Sequence, residues 1–445
     1  MNYEQCHRYL EEVQKLGIKF GLKNVKTILA ACGNPHLKCP CVLVGGTNGK
    51  GSVSAMLSHI LSRHGLSPGL YTSPHLVRVE ERVRVGMVPI PEEELCQELT
   101  LLRKLIELLI EKGKLSTPPT YFELLTCLAF RYFARQKVDA AVLEVGMGGR
   151  FDATNVVNPM VSIITTVSRD HQDFLGRTLS NIAFEKAGII KPGVPVVCGV
   201  KKGMAQRAIR KIAEEKGAPF FPVFDRKGCL EVKREDDRLS FIYNSGRDTY
   251  SYTPSLAGRH QGENAAVALV AAEVLNSEWR CLEKEKIIAG VEEAKWEARL
   301  EILARKPLVI LDGAHNEEGA KALRCYVEEF IHLPLTLVVA FKRDKQIKRI
   351  ADILFPLAEN VIVTRFPFHK TAQPEEVRTR VRAFKEKIVV EPDVKQALKR
   401  ALYKAGGKGC VLITGSIYLA GEVMKFFPQV LRAVISRSEE RKESY

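Results

Sequence analysis

Val44-Gly45-Gly46-Thr47-Asn48-Gly49-Lys50-Gly51-Ser52 is the stretch on which the reading of this chain turns. It closes the apolar run Val42-Leu43-Val44, and the segment from Ser54 to His64 continues with helical character. Strand, glycine loop and helix in that order form a phosphate cradle. Glycines let backbone N–H groups converge on phosphate oxygens, the helix N-terminus adds its dipole, and Lys50 adds a point charge for the β and γ phosphates. The generic expression GxxxxGK[ST] is not matched, because position 44 is Val and Gly51 separates Lys50 from the hydroxyl of Ser52. The flanking strand and helix carry the nucleotide-phosphate reading over that of a glycine-rich turn with a surface lysine.

Outward from the loop, short apolar runs alternate with helix-period segments, the pattern of strands feeding crossover helices in a mostly parallel sheet. The runs Val42 to Val44, Ala140 to Val145, Val161 to Thr166 and Val194 to Cys198 read as strands. Leu95, Leu99, Leu102, Ile106 and Leu109 read as the buried stripe of a long amphipathic helix. A second βα series runs from Leu308 through Leu335 to Ala340, Val361 to Val363, Ile388 to Val390 and Val411 to Ile413. The fold class expected is α/β, a P-loop parallel-sheet domain over residues 1–297 followed by a smaller α/β domain over 298–445.

With 445 residues, 46% of them hydrophobic, the chain has apolar material for more than one packed domain. Lys and Arg number 67 against 52 Asp and Glu, and the net charge of +15 favours anionic partners without choosing among them. Eleven cysteines without a CxxC pair suit a reduced, cytoplasmic protein. Glu4, Glu11 and Glu12 make the N-terminus unlike a signal or transit peptide, and no apolar run approaches the ~20 residues of a membrane helix.

A phosphate loop needs a carboxylate for Mg²⁺, and the natural place is the C-terminal end of a neighbouring parallel strand. Glu144 ends Ala140-Ala141-Val142-Leu143 there and leads into the glycine-rich turn Gly146-Met147-Gly148-Gly149. A third strand runs into Ser168-Arg169-Asp170-His171, where an imidazole could join a second metal or position substrate.

Together with Tyr71 to His75, Glu144 to Asn155, Glu185 to Gly188, Gly258 to Asn264, Asp312 to Asn316 and Thr414 to Ser416, these motifs resemble the folylpolyglutamate synthase and dihydrofolate synthase family of the Mur ligase superfamily. The resemblance covers most of the chain and makes the second domain Rossmann-like. It implies an ATP-dependent ligase that joins L-glutamate to a folate or dihydropteroate carboxylate through an acyl phosphate. It maps Gly46, Thr47, Asn48, Gly49, Lys50, Gly51 and Ser52 to the phosphates, and Asn264 and Arg299 to adenine and phosphate. Ser73 and Glu144 correspond to ligands of one Mg²⁺, and His171 to a ligand of a second, partnered by a carbamylated Lys186. Asp312 and His315 correspond to residues facing the nucleotide, and Asp152, His315 and Ser416 to substrate contacts. The partners implied are small molecules, with no nucleic acid and no membrane, and the expected state is a monomer. Whether the acceptor is dihydropteroate, a folate or both stays open.

Three positions depart from the family pattern. Glu297-Ala298 replaces a common Pro-Gly before Arg299, Val85-Gly86-Met87 stands where Ile-Asn-Gly is common, and Phe151 replaces a frequent Leu before Asp152. A cell-wall amino-acid ligase of the same superfamily would share the phosphate loop, but Tyr71 to His75 and Asp312 to Asn316 look folate-type. A basic P-loop ATPase binding nucleic acid is the other rival, and the basic runs lack the interleaved aromatics it would need.

Overall fold

The structure is a computed structural model that describes the whole chain except residues 18, 20, 177, 226–228, 237, 444 and 445, with side chains described through residue 434. Two compact units emerge, one of residues 1–233, 240–255 and 261–295, the other of residues 234–239, 256–260 and 296–445.

The first unit is organised by an eight-stranded sheet. Its strands are β1 (Cys41–Gly45), β2 (Pro68–Tyr71), β3 (Val83–Val85), β4 (Val88–Pro89), β5 (Ala140–Glu144), β6 (Val161–Ile164), β7 (Val196–Cys198) and β8 (Phe220–Pro222). The spatial order is β4-β3-β2-β5-β1-β6-β7-β8. The six strands from β2 to β8 in that order run parallel, and β3 and β4 add an antiparallel edge. All five residues of β1 are buried, as expected of a strand covered on both faces. Val44 lies opposite Glu144 on one side and Ile163 on the other, so the loops leaving β1, β5 and β6 start at one level. Because β1 sits between strands that come later in the chain, these loops flank a crevice at the switch point, where ligands bind in open α/β sheets.

The anticipated strands form with trimmed ends: β6 stops at Ile164 and β7 starts at Val196. The predicted stripe lies on the helix Glu92–Glu111, where Leu95, Leu99, Leu102, Ile106 and Leu109 are all buried. Three glutamates in its first turn suit the positive end of the helix dipole. The helix Tyr121–Gln136 opens on a capping box between Thr120 and Glu123. The departure at Gly86-Met87 still makes a two-residue hairpin between β3 and β4, with φ of 54° and 70°. Met87 thus takes a left-handed conformation that costs a side-chain-bearing residue about 1–2 kcal/mol.

A three-stranded antiparallel sheet of β9 (Leu230–Glu235), β10 (Arg238–Asn244) and β11 (Thr249–Tyr252) has no counterpart in the sequence reading. Phe241 and Tyr252 stack on it at 5.6 Å, and the Tyr252 hydroxyl donates to the Gly262 carbonyl.

The second unit is built on β12 (Glu301–Arg305), β13 (Leu308–Leu311), β14 (Leu335–Val339), β15 (Asn360–Val363), β16 (Ile388–Val390) and β17 (Cys410–Thr414). They form a six-stranded sheet ordered β12-β13-β17-β14-β15-β16, antiparallel only at β12. Among the described residues no helix is long and apolar enough to cross a membrane.

Candidate functional site

The phosphate loop is fixed by the strand beside it. Thr47 N–H donates to the Thr166 carbonyl at 2.8 Å and Asn48 N–H to the Thr166 hydroxyl at 2.9 Å. Thr165 Oγ1 donates to the Asn48 carbonyl at 2.6 Å, and Ser168 N–H donates to Thr47 Oγ1 at 3.1 Å. The residues after β6 therefore brace the loop, a role the sequence reading missed. Its only signal was a pair of threonines where a strand ends beside the glycine loop. The amides of Thr47 and Asn48 are spent on this bracing. Those of Lys50, Gly51 and Ser52, in the first turn of the helix Lys50–Arg63, have no carbonyl four residues back within the helix.

Two glycines are required by conformation and by space. Gly46 has φ +145°, and a Cβ there would come within 1.9 Å of Thr165 Oγ1. Gly49 has φ +82°, and a Cβ would come within 2.3 Å of Asn264 Oδ1. The candidate adenine residue thus lies directly against the loop, held by its Nδ2 donating to Gln261 Oε1 at 3.0 Å. The cradle is one that a side chain would fill, which is the geometry a phosphate group needs.

Glu144, buried at the end of β5, accepts the backbone N–H of Ser73 at 2.9 Å. This joins the two residues matched to the first metal. A buried carboxylate beside a hydroxyl-bearing residue is the oxygen donor set that suits Mg²⁺, so these residues fit that ion. Among the described residues no group of three or more His, Cys, Asp or Glu gathers, so a metal here would draw on hydroxyl and phosphate oxygens as well.

Lys186 is 3% exposed near the end of the helix Leu179–Ala187, and its Nζ donates to the Gly46 carbonyl at 2.7 Å. It is no surface lysine. Burial, then the neighbouring Lys50 ammonium, push it down to about 7, against the opposing pull of Asp170 and Asp152. Lys50 Nζ donates back to the Thr47 carbonyl at 3.2 Å. His171 has φ 50°, and its backbone N–H donates to Asp170 Oδ1 at 2.9 Å. Asp152 is buried and caged by Met147 N–H, Thr154 N–H and the Thr154 hydroxyl at 2.6 to 3.0 Å. Burial pushes its carboxyl above the usual range, and these donors oppose that shift.

In the second unit, Arg299 does not continue a helix. The helix Lys284–Glu293 has ended, and Ala298 and Leu300 both have positive φ, 54° and 51°. Ala298 thus adopts the left-handed turn that a glycine would adopt more cheaply. The Arg299 guanidinium lies over Gly313, where a Cβ would come within 2.5 Å of Nη1. Asp312, at the end of β13, accepts Leu300 N–H at 3.0 Å and Ala314 N–H at 2.8 Å. His315 Nδ1 lies 2.9 Å from the Gly313 carbonyl. Ser416 is buried in the turn after β17, and its Oγ accepts Tyr418 N–H.

Residues 44–272 match the family model for the Mur ligase middle domain, and residues 298–426 that for the dihydrofolate synthetase C-terminal domain. The chain is 34% identical over 429 residues to a dihydrofolate synthase/folylpolyglutamate synthase of Bacillus subtilis, covering 95% of this chain and 98% of that one. Its fold is similar to Escherichia coli FolC in complex with DHPP and ADP, with TM-score 0.84, 28% identity, and 95% of this chain and 98% of that chain covered. A Mycobacterium tuberculosis folylpolyglutamate synthase complexed with ADP matches with TM-score 0.89, 28% identity, and 96% and 98% coverage. Likeness of this extent, over a phosphate cradle, a metal-suited carboxylate and a buried lysine at the ends of the central strands, identifies the chain as a member of the dihydrofolate synthase/folylpolyglutamate synthase family.

Proposed function

We propose that this enzyme joins L-glutamate to a folate or dihydropteroate carboxylate at the expense of ATP. The observation that carries the reading is the meeting of the glycine cradle with Lys186 through the Gly46 carbonyl, beside the Ser73–Glu144 pair. Attack of the acceptor carboxylate on the γ-phosphorus gives an acyl phosphate and ADP. The glutamate amine then attacks the acyl carbon, and phosphate leaves.

Lys50 and the amides of Lys50, Gly51 and Ser52 hold the phosphates, and Asn264, against Gly49, is the adenine contact. Glu144 and Ser73 would hold one Mg²⁺ and His171, partnered by Lys186, a second, and these ions would neutralise charge on the phosphate oxygens. Lys186 is read as carbamylated: its amine adds to CO₂ with loss of a proton. A bare ammonium beside Lys50 in a buried site is repelled, whereas a carbamate is attracted to it. A carbamate on Lys186 would supply anionic oxygens to the ion that His171 would hold. Asp152, whose caged carboxyl fixes the loop after β5, and His315 and Ser416 are assigned to substrates. Arg299 and Asp312 are assigned to the nucleotide. The enzyme is read as a cytoplasmic monomer acting on small molecules.

Phosphate release measured separately with dihydropteroate and with tetrahydrofolate as acceptor tests the reading and divides its two forms. Glutamate-dependent release with either acceptor supports it, and release with neither removes it.

A further inference from the structure

Four cations gather around the turn that follows the Lys186 helix. Lys191, in that turn, donates from Nζ to the Asn155 carbonyl at 2.9 Å. Lys216, at the end of the helix Met204–Glu215, donates from Nζ to the adjacent Ile190 carbonyl at 2.6 Å, and its own carbonyl accepts Gly193 N–H. Arg150 is tied to the same turn: its N–H donates to the Glu185 carbonyl, and its carbonyl accepts Asn155 Nδ2 at 3.1 Å. Lys26 comes from the helix Lys23–Ala31, which packs against the turn 153–156.

No Asp or Glu among the described residues forms an ion pair with any of the four. Lys191 and Lys216 are half-buried, and each spends one N–H on a carbonyl while two remain. The charges that act on Lys191 are Lys216 and Lys26, and the charge that acts on Lys216 is Arg150, all of like sign. Burial first, and then these like charges, push the Lys191 ammonium down to about 8. The Arg150 guanidinium lies over two exposed rings, Phe151 at 5.1 Å and Phe184 at 5.5 Å. Half-buried ammonium groups that repel one another and have no counter-ion are what an anion site looks like before its ligand arrives.

We propose that Arg150, Lys216, Lys191 and Lys26 form a row that binds a flexible polycarboxylate, the γ-linked oligoglutamate portion of the acceptor or product. The identity of the anion rests on the proposed ligase reading, in which each added glutamate leaves one free α-carboxylate and charge repeats along the chain. The cations come from four separate segments, which suits charges spaced along a chain better than one compact phosphate. Arg150 is also only two residues from Asp152, so the row adjoins the loop assigned to the acceptor.

The test is calorimetric titration of the full chain, its phosphate loop first saturated with ATP in the absence of acceptor, with free tri-γ-L-glutamate and, separately, with inorganic tripolyphosphate. Wild type is expected to bind tri-γ-L-glutamate, with K191Q/K216Q weakening it at least ~10-fold and K191R/K216R keeping it within about threefold, as charge-based recognition requires. With a triglutamyl acceptor, K191Q/K216Q should raise KM by about the same ~10-fold, leaving kcat and the KM for a monoglutamyl acceptor unchanged. Unchanged binding in the Gln pair, an equal KM rise for both acceptors, or tighter binding of tripolyphosphate than of tri-γ-L-glutamate would overturn the proposal. If the Gln pair melts well below wild type, K26Q/R150Q, changing two exposed side chains, gives the same comparison. A wild type without glutamate-dependent phosphate release would end the ligase reading, while the titration would still decide whether the row binds oligoglutamate.

Discussion

Replacing Gly49 with Ala puts a methyl group where the structure has no room for one. The residue has φ +82°, and the new Cβ would stand 2.3 Å from Asn264 Oδ1. A left-handed non-glycine residue costs about 1–2 kcal/mol. Moving Asn264 aside breaks its bond to Gln261, worth about 1 kcal/mol. A loss of roughly 2–3 kcal/mol lowers Tm by roughly 4–12 °C at ~2–4 °C per kcal/mol for a domain of this size. Scanning calorimetry reads the stability, and titration with ATP reads the cradle, where a displaced asparagine and a tilted loop should weaken binding at least ~10-fold. Adding Asn264→Gly removes the clash but leaves the backbone strain. Asn264→Gly alone also loses that bond and sets a glycine inside the helix Arg259–Trp279, so it destabilises by itself, and the double variant should lose about 1 kcal/mol less than the sum of the two single losses, a non-additivity expected only of residues in contact. A Gly49→Ala protein that melts within a degree of wild type and binds ATP normally would mean that Gly49 and Asn264 do not meet in this way.

Glu144→Gln keeps the shape of the buried side chain but loses its charge, so product formation should fall at least ~10²-fold with Tm little changed, as steady-state assay and melting will reveal. In ligand-free, chelated protein, Lys186→Met removes a buried ammonium whose proton is held only below about pH 7, against 10.5 when exposed. Between those values the unfolded wild type holds a proton that the folded protein lacks. Wild-type unfolding free energy should therefore rise with pH relative to Lys186→Met across that window, and a parallel pair of stability curves would contradict it. Lys186→Ala should be inactive and partly rescued by a short carboxylic acid, whereas Lys186→Arg should stay inactive. Asp312→Asn cannot accept from both Leu300 and Ala314 N–H without turning its amide toward one of them, so chemical denaturation should record a loss of about 1–3 kcal/mol.

The parallel architecture was readable because β1, β5 and β6 are short, largely apolar runs that stop at a glycine, a glutamate and a pair of threonines, and a strand buried on both faces leaves that mark. Glu144 was readable for the same reason, as the first charged residue after four apolar ones. The burial of Lys186 was not, since nothing in Glu185-Lys186-Ala187 distinguishes a lysine turned toward the Gly46 carbonyl from one in water. The bracing by Thr165 and Thr166 also escaped notice, because it joins segments more than a hundred residues apart in sequence. The antiparallel sheet from Leu230 to Tyr252 was hidden by its composition: β9 is rich in charge and largely exposed, so hydrophobic periodicity had little to register. Ala298 illustrates the limit of motif reading, since a non-glycine residue takes the left-handed turn where the family pattern has glycine.

The central claim is that the acceptor carboxylate is activated as an acyl phosphate before glutamate is joined. The most direct measurement supplies the acceptor with ¹⁸O in that carboxylate, together with ATP, Mg²⁺ and L-glutamate, and weighs the phosphate released. One ¹⁸O atom is expected in each phosphate formed with product. Full turnover that leaves the phosphate unlabelled would contradict it.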